Sequence, residues 1–137
     1  MRRLAMILVA ASIVAACQPP QQLEIDFTIR RNGTITVDGG GDRYLTLSGV
    51  VACSGGTPDN REPLDLFVTL EQGTVIDTGI ELHERCSEPK VWTQTAPLES
   101  AIQPGQVSVT ITACTNPGFP IDEDCAEDSE IVTVTSA

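Results

Sequence analysis

Alternation of apolar and polar residues is the feature that most constrains the fold of this chain. The segments LDLFVTLE (64–71) and QVSVTITA (106–113) carry aliphatic side chains at every second position. Successive side chains of a strand point to opposite faces, so each segment predicts a half-buried strand. No window repeats its apolar residues at helical spacing. Seven or eight short strands, separated by turn residues, predict an all-β fold, an antiparallel β-sandwich.

The first alternating segment, LEIDFTI, ends just before an Asn-Gly pair, which is a strong hairpin signal. Matching the apolar faces of the two arms favours a three-residue loop over residues 31–33. That loop would pair Ile29 with Ile35 and hold Gly33 in the left-handed conformation. The sequence therefore predicts a hairpin between the first two strands.

Four of the five cysteines fall in the body of the chain, and an even number in an exported chain of this size indicates two disulfides. Three pairings are possible. Cys53 is in phase with the apolar residues of its strand, whereas Cys114 is out of phase with those of its own strand. A bridge from Cys53 to Cys114 through the core is therefore disfavoured. We expect Cys53–Cys86 and Cys114–Cys125, the second closing a ten-residue acidic hairpin loop.

The fifth cysteine ends a segment typical of an export signal. Arg2 and Arg3 precede thirteen uncharged residues, 4–16, which is too short to cross a bilayer. Val14-Ala15-Ala16-Cys17 follows at the end of this segment and resembles the lipobox of bacterial lipoproteins. The resemblance implies cleavage before Cys17 and acylation of its thiol.

This interpretation divides the chain into three parts. Residues 1–16 are a signal peptide, residues 17–22 carry the lipidated cysteine and a short tether, and residues 23–137 form one domain. The lipid on Cys17 would hold the domain on the outer face of a bacterial membrane, either the plasma membrane or an outer membrane.

Loss of residues 1–16 would remove two of the eight basic residues and none of the nineteen acidic ones. The mature chain would then have six basic residues against nineteen acidic ones, a net charge of −13. Such a surface repels phosphates, so nucleic acid is excluded as a partner. High solubility is the simplest interpretation of this acidity.

The inventory of reactive residues argues against an enzyme. His83 is the only histidine, and HERC (83–86) is typical of a strand end or a turn with a solvated histidine. There is no Gly-x-Ser-x-Gly elbow, and the paired cysteines are committed to disulfides. We therefore expect a non-enzymatic protein.

One acidic window, IDEDCAEDSE, has the composition of a calcium-binding loop, because calcium prefers several oxygen ligands. The spacing does not match an EF-hand, and a solvated charged loop is the simpler interpretation. No cofactor is expected, with calcium as the one candidate in the loop 122–130. Its candidate ligands are Asp122, Asp124, Glu127 and Asp128.

Three aromatic residues could anchor a partner or a sugar ring if they are exposed: Phe67, Trp92 and Phe119. Phe67 is out of phase with the leucines of its strand, and Phe119 lies in a Pro/Gly-rich segment. Trp92 is more typical of a core, and the three cannot be aligned as a carbohydrate platform.

LTLSGVVAC, then an aliphatic strand, a cysteine shortly before a tryptophan, and PGQVSVTITA together resemble small immunoglobulin-like domains exported by bacteria. The resemblance implies an immunoglobulin-like β-sandwich of a family without assigned function. The resulting hypothesis is a membrane-anchored lipoprotein that offers this domain to a protein or glycan partner, or to envelope structure. The alternatives are a secreted protease-inhibitor-like module acting through loop 54–63, or a calcium-binding module using loop 122–130.

Overall fold

A computed structural model describes residues 24–54, 63–86, 89–115 and 125–137. The described residues form eight β-strands and no helix. This confirms the predicted all-β class and the expected number of strands. The eight strands are β1 (Glu24–Ile29), β2 (Asn32–Val37), β3 (Arg43–Ser54), β4 (Pro63–Gln72), β5 (Val75–Arg85), β6 (Lys90–Pro97), β7 (Gly105–Thr115) and β8 (Cys125–Ser136).

The strands form where the sequence alternates. Leu64, Leu66, Val68 and Leu70 of β4 are all at most 1% exposed, whereas Phe67 between them is 45% exposed. The aliphatic residues of β7 are buried in the same way. Each strand therefore turns its aliphatic residues toward one shared core.

Strand pairing divides the sheet into two groups that enclose this core. One group is β1–β3–β6, and the other runs β2–β8–β7–β4–β5. All pairs are antiparallel except β2 with β8, and β2 joins the two groups because it also pairs with β3. The result is a β-sandwich with a single core, an arrangement compatible with an immunoglobulin-like fold.

The predicted hairpin between β1 and β2 is wrong. Both strands lie one after the other along the same edge of β3, with Ile29 opposite Gly49 and Ile35 opposite Leu45. Gly33 is not left-handed; the glycines with positive φ in the described residues are Gly41, Gly73 and Gly105.

The alternation explains this outcome. Phe27, Ile29, Gly33 and Ile35 are all buried and all odd-numbered, so the apolar face continues past the Asn-Gly pair instead of reversing there. A Cβ on Gly33 would lie 3.0 Å from the carbonyl oxygen of Thr46. Gly33 therefore allows close packing against β3 rather than a turn.

Trp92 of β6 lies at the centre of the core. Its ring stacks on Phe27, with centroids 4.9 Å apart and an interplanar angle of 18°. Its indole N–H donates a hydrogen bond to the carbonyl of Thr28, at 3.1 Å. Gly49 lies opposite Trp92 and leaves room for this contact. Trp92 therefore holds β1 and β6 to the two edges of β3.

Both predicted disulfides are confirmed. Cys53 pairs with Cys86, with Cα atoms 5.5 Å apart, and Cys114 pairs with Cys125, with Cα atoms 4.1 Å apart. Cys114 is buried, but it lies outside the core cluster that contains the aliphatic residues of its strand. The out-of-phase position of Cys114 therefore identified the correct partner, because a side chain outside the core cannot reach across it.

Candidate functional site

The outer face of β5, β4, β7 and β8 carries the most chemically distinctive side chains in the described part of the chain. Phe67 lies near its middle, exposed, with Glu81 opposite it on β5 and Thr112 opposite it on β7. Thr112 in turn donates a hydrogen bond to Glu127 of β8, at 3.3 Å. This face therefore presents one aromatic ring among carboxylates and hydroxyls.

Beside Phe67, three side chains converge on a small cluster, which we call the β4–β5 cluster: Asp65, Glu81 and His83. The Nδ1 atom of His83 lies 3.0 Å from Oδ1 of Asp65. One donor atom from each of the three residues lies within 4.8 Å of the other two. The cluster therefore brings one nitrogen and two carboxylate oxygens within reach of a single ion.

Strand pairing creates the cluster. Asp65 lies directly opposite His83, and Glu81 is two residues before His83 on the same strand. Residues two apart on a strand share a face, and directly opposite residues have Cβ atoms about 5 Å apart. Two neighbouring strands thus fix all three side chains on one face of the sheet.

Sequence reasoning missed this cluster. HERC (83–86) was expected at a strand end or a turn, and β5 does end there, at Arg85. The exposure of His83 is as expected, since its side chain is 71% exposed. The sequence shows that Asp65 and His83 each alternate with the apolar residues of their strands, so both point away from the core. Nothing in the sequence gives the register between the two strands, which is what brings the two side chains together.

The predicted calcium ligands are not brought together in the described part of the chain. Asp122 and Asp124 lie outside the described residues, and Glu127 and Asp128 belong to β8 rather than to a loop. As neighbours on a strand they point to opposite faces. Glu127 accepts its hydrogen bond from Thr112, whereas Asp128 Oδ2 accepts one from the Ile29 amide at 2.8 Å. The two candidate ligands that are described, Glu127 and Asp128, therefore make separate contacts on opposite faces of β8.

The aromatic candidates also separate. Phe67 is exposed on the sheet face, as its phase predicted, and remains available to a partner. Trp92 is 1% exposed, so its ring packs in the core and cannot stack on a ligand. Phe119 lies outside the described residues.

A polar bridge joins the two halves of the sandwich where β5 approaches β6. Lys90 Nζ donates to Glu84 Oε1 at 2.7 Å, and Gln94 Nε2 donates to Glu84 Oε2 at 3.1 Å and to the His83 carbonyl at 2.9 Å. Burial raises the pKa of Glu84, but hydrogen bonds from Lys90, the Arg85 backbone and Gln94 outweigh burial and hold that pKa below its ordinary value. The Gln94 bond also fixes the backbone beside the β4–β5 cluster.

The end of the sandwich opposite the disulfides is built from ordered turns. Asp38 Oδ1 accepts hydrogen bonds from the amides of Gly40 and Asp42, both at 2.9 Å. The Arg43 guanidinium donates to the carbonyls of Ser100 and Ile102, which holds the segment between β6 and β7 over this end of the core. These contacts give this end a defined surface.

An open pocket of about 470 Å³ lies at the opposite end, where β1 begins beside β3. Its described lining includes the carboxylates of Glu24 and Asp26, the Cys53 end of β3, and Pro89. No ligand is assigned to it.

Cys17 and most of the loop 54–63 also lie outside the described residues. Among those that are described, no helix is long and apolar enough to cross a bilayer. Comparisons with protein-family models, curated proteins and solved structures find no match to this chain. The residues and their geometry therefore carry the functional argument.

Proposed function

We propose that this chain is a bacterial extracytoplasmic lipoprotein, anchored through lipid on Cys17, whose β-sandwich acts as a non-enzymatic binding module. The observation that carries the proposal is the sequence Val14-Ala15-Ala16-Cys17 directly after an uncharged segment. The two disulfides support it, because disulfides persist in oxidising compartments outside the cytoplasm.

The anchor would orient the domain. Glu24 follows Cys17 by seven residues, which span at most about 25 Å when fully extended. Glu24 pairs with Ser54, so β1 begins at the end of the sandwich that carries both disulfides. That end lies near the membrane, and the ordered turns around Asp38 and Ser100 face away from it.

This orientation bears on the kind of partner. The far end and the outer sheet faces are the surfaces that a protein or glycan can reach without approaching the bilayer. The net charge of −13 disfavours nucleic acid and anionic lipid headgroups as ligands. We therefore favour a protein or glycan partner in the cell envelope that tolerates an acidic surface.

Protease inhibition through loop 54–63 is the competing proposal. The two ends of that loop, Ser54 and Pro63, pair with Glu24 and Arg85 at the disulfide end. On an anchored domain both ends of that loop would lie toward the membrane, where a protease has least access. The geometry thus favours the binding module.

Metabolic labelling with a palmitate analogue tests the anchor. The wild-type chain should incorporate label and fractionate with membranes, and Cys17→Ser should do neither, because only that thiol carries the acyl chains. Label that persists on Cys17→Ser would refute the lipobox interpretation.

Cysteine labelling in vesicles tests the orientation. In the lipidated protein, a large maleimide reagent should label Gly39→Cys at the same rate in vesicles and in detergent, whereas vesicles should slow the labelling of Glu24→Cys. Both positions are exposed, so the comparison isolates the effect of the membrane. Equal rates for Glu24→Cys in vesicles and in detergent would contradict the proposed orientation.

A further inference from the structure

We propose that the β4–β5 cluster, Asp65, Glu81 and His83, binds a divalent transition-metal ion of the zinc class. This inference does not depend on the lipid anchor or on the proposed binding function. It rests on the donor set, its spacing and its support by two paired strands.

The donor set selects the class of ion. Imidazole nitrogen suits zinc, copper, iron and nickel, whereas calcium and magnesium prefer oxygen ligands alone. Zinc takes histidine nitrogen and carboxylate oxygen as ligands, and a site with three protein ligands leaves a fourth position to water. Because the side chain of His83 is 71% exposed, water can reach that fourth position.

The spacing fits such an ion. Zinc bonds to nitrogen and oxygen of about 2.0–2.1 Å in a tetrahedron place the ligand atoms about 3.3 Å apart. His83 Nδ1 and Asp65 Oδ1 are already 3.0 Å apart, and no pair of the three donor atoms is more than 4.8 Å apart. The three donor atoms are therefore already close to the separations that such a site requires.

The simplest competing interpretation is an Asp65–His83 ion pair without metal. It accounts for two of the three residues only. Among the described residues, the Glu81 carboxylate has no hydrogen-bond or ion-pair partner, although its oxygen lies within 4.8 Å of the other two donor atoms. A cation bridging all three would neutralise the two carboxylates and use the third donor.

The experiment is a titration of the full chain with Zn²⁺ by isothermal calorimetry. The protein carries Cys17→Ser, so that no free thiol competes for zinc, and has no histidine tag. We expect one saturable site per chain. Loss of even an outer-shell partner costs about 10–100-fold in metal affinity, so H83Q and E81Q should each weaken binding at least tenfold.

The matched control is E71Q. Glu71 is exposed on the same strand and the same face as Asp65, but it lies outside the cluster. E71Q removes one negative charge, as E81Q does. Zinc affinity of E71Q should stay within about twofold of the parent chain, and Ca²⁺ should bind H83Q and the parent chain alike.

Two results would overturn the proposal. One is the absence of saturable Zn²⁺ binding by the parent chain. The other is an equal loss of affinity in E81Q and E71Q, which would indicate diffuse attraction of cations to an acidic surface. Circular dichroism of each metal-free variant separates loss of the site from loss of the fold, and Co²⁺ absorption gives a second readout of a tetrahedral site.

Discussion

Gly49 is the position where a single methyl group should do the most damage. A Cβ at this position would lie 1.8 Å from the carbonyl oxygen of Thr28 and 2.7 Å from the indole nitrogen of Trp92. The first atom belongs to the backbone of β1, so rotating a side chain cannot relieve the clash. Gly49→Ala must therefore push β1 away from β3.

The expected cost follows from the contacts at this point. Moving β1 breaks the Trp92–Thr28 hydrogen bond, and leaving a buried donor unpaired costs about 1–3 kcal/mol. Overpacking adds about 1–3 kcal/mol to this cost. Alanine also lowers the conformational entropy of the unfolded chain relative to glycine, which offsets less than about 1 kcal/mol. We expect the free energy of unfolding to fall by about 3 kcal/mol, a large part of the 5–15 kcal/mol typical of a domain.

Urea unfolding measures this change, because Trp92 is the only tryptophan and its buried ring reports the core by fluorescence. Gly39→Ala is the control: a Cβ there has no neighbour within 4 Å, so its stability should stay within about 0.5 kcal/mol of wild type. If Gly49→Ala matched Gly39→Ala, the packing of β1 against β3 described above would be wrong. In a Trp92→Phe background, followed by circular dichroism because no tryptophan is left, the overpacking part of the penalty should remain, because the nearest obstacle is the Thr28 carbonyl.

Three further predictions concern other contacts. Asp128→Ala should destabilise the fold by about 1 kcal/mol by leaving the Ile29 amide unpaired, whereas Glu127→Ala on the opposite face should cost less than about 0.5 kcal/mol in the same urea assay. The folded pKa of Glu84 lies below its ordinary 4.5, so its stabilisation is present above that pH and is lost as pH falls through the folded value. The stability difference between wild type and Glu84→Gln should accordingly shrink on acidification below pH 4.5, and a constant difference would refute the ion-pair argument. Replacing Cys114 and Cys125 together by alanine should cost about 3 kcal/mol from the closed loop, and an unchanged urea midpoint would contradict this.

Strands and disulfides could be predicted because both follow from the phase of a residue along its own strand. The alternation in β4 predicted four buried aliphatic residues with Phe67 on the opposite face, and the same logic set Cys114 apart from the core. Phase is a local property, and it needs no knowledge of which strand lies alongside.

The β4–β5 cluster could not be predicted because it depends on register. Asp65 meets His83 only because β4 and β5 pair with a register that shifts between Val68 and Leu70. A slip of one residue would move His83 to the other face of the sheet. A sequence read strand by strand contains the donors of this cluster but not their proximity.

The contacts of the acidic residues on β8 depend on neighbouring strands in the same way. β1 and β2 follow one edge of β3, but β2 also joins β8, so the chain changes partners around Arg31. Where it does so, the Ile29 amide donates to the Asp128 carboxylate, and the Arg31 guanidinium pairs with Glu130 at 3.2 Å. Asp128 and Glu130, two residues apart on β8, thus stabilise the segment between β1 and β2, where the chain moves from pairing with β3 alone to pairing with β8 as well. Acidic residues whose composition suggested a cation site thus accept hydrogen bonds from a backbone amide and a guanidinium. The Ile29 amide needs such an acceptor because the ladder of β1 with β3 ends at this residue.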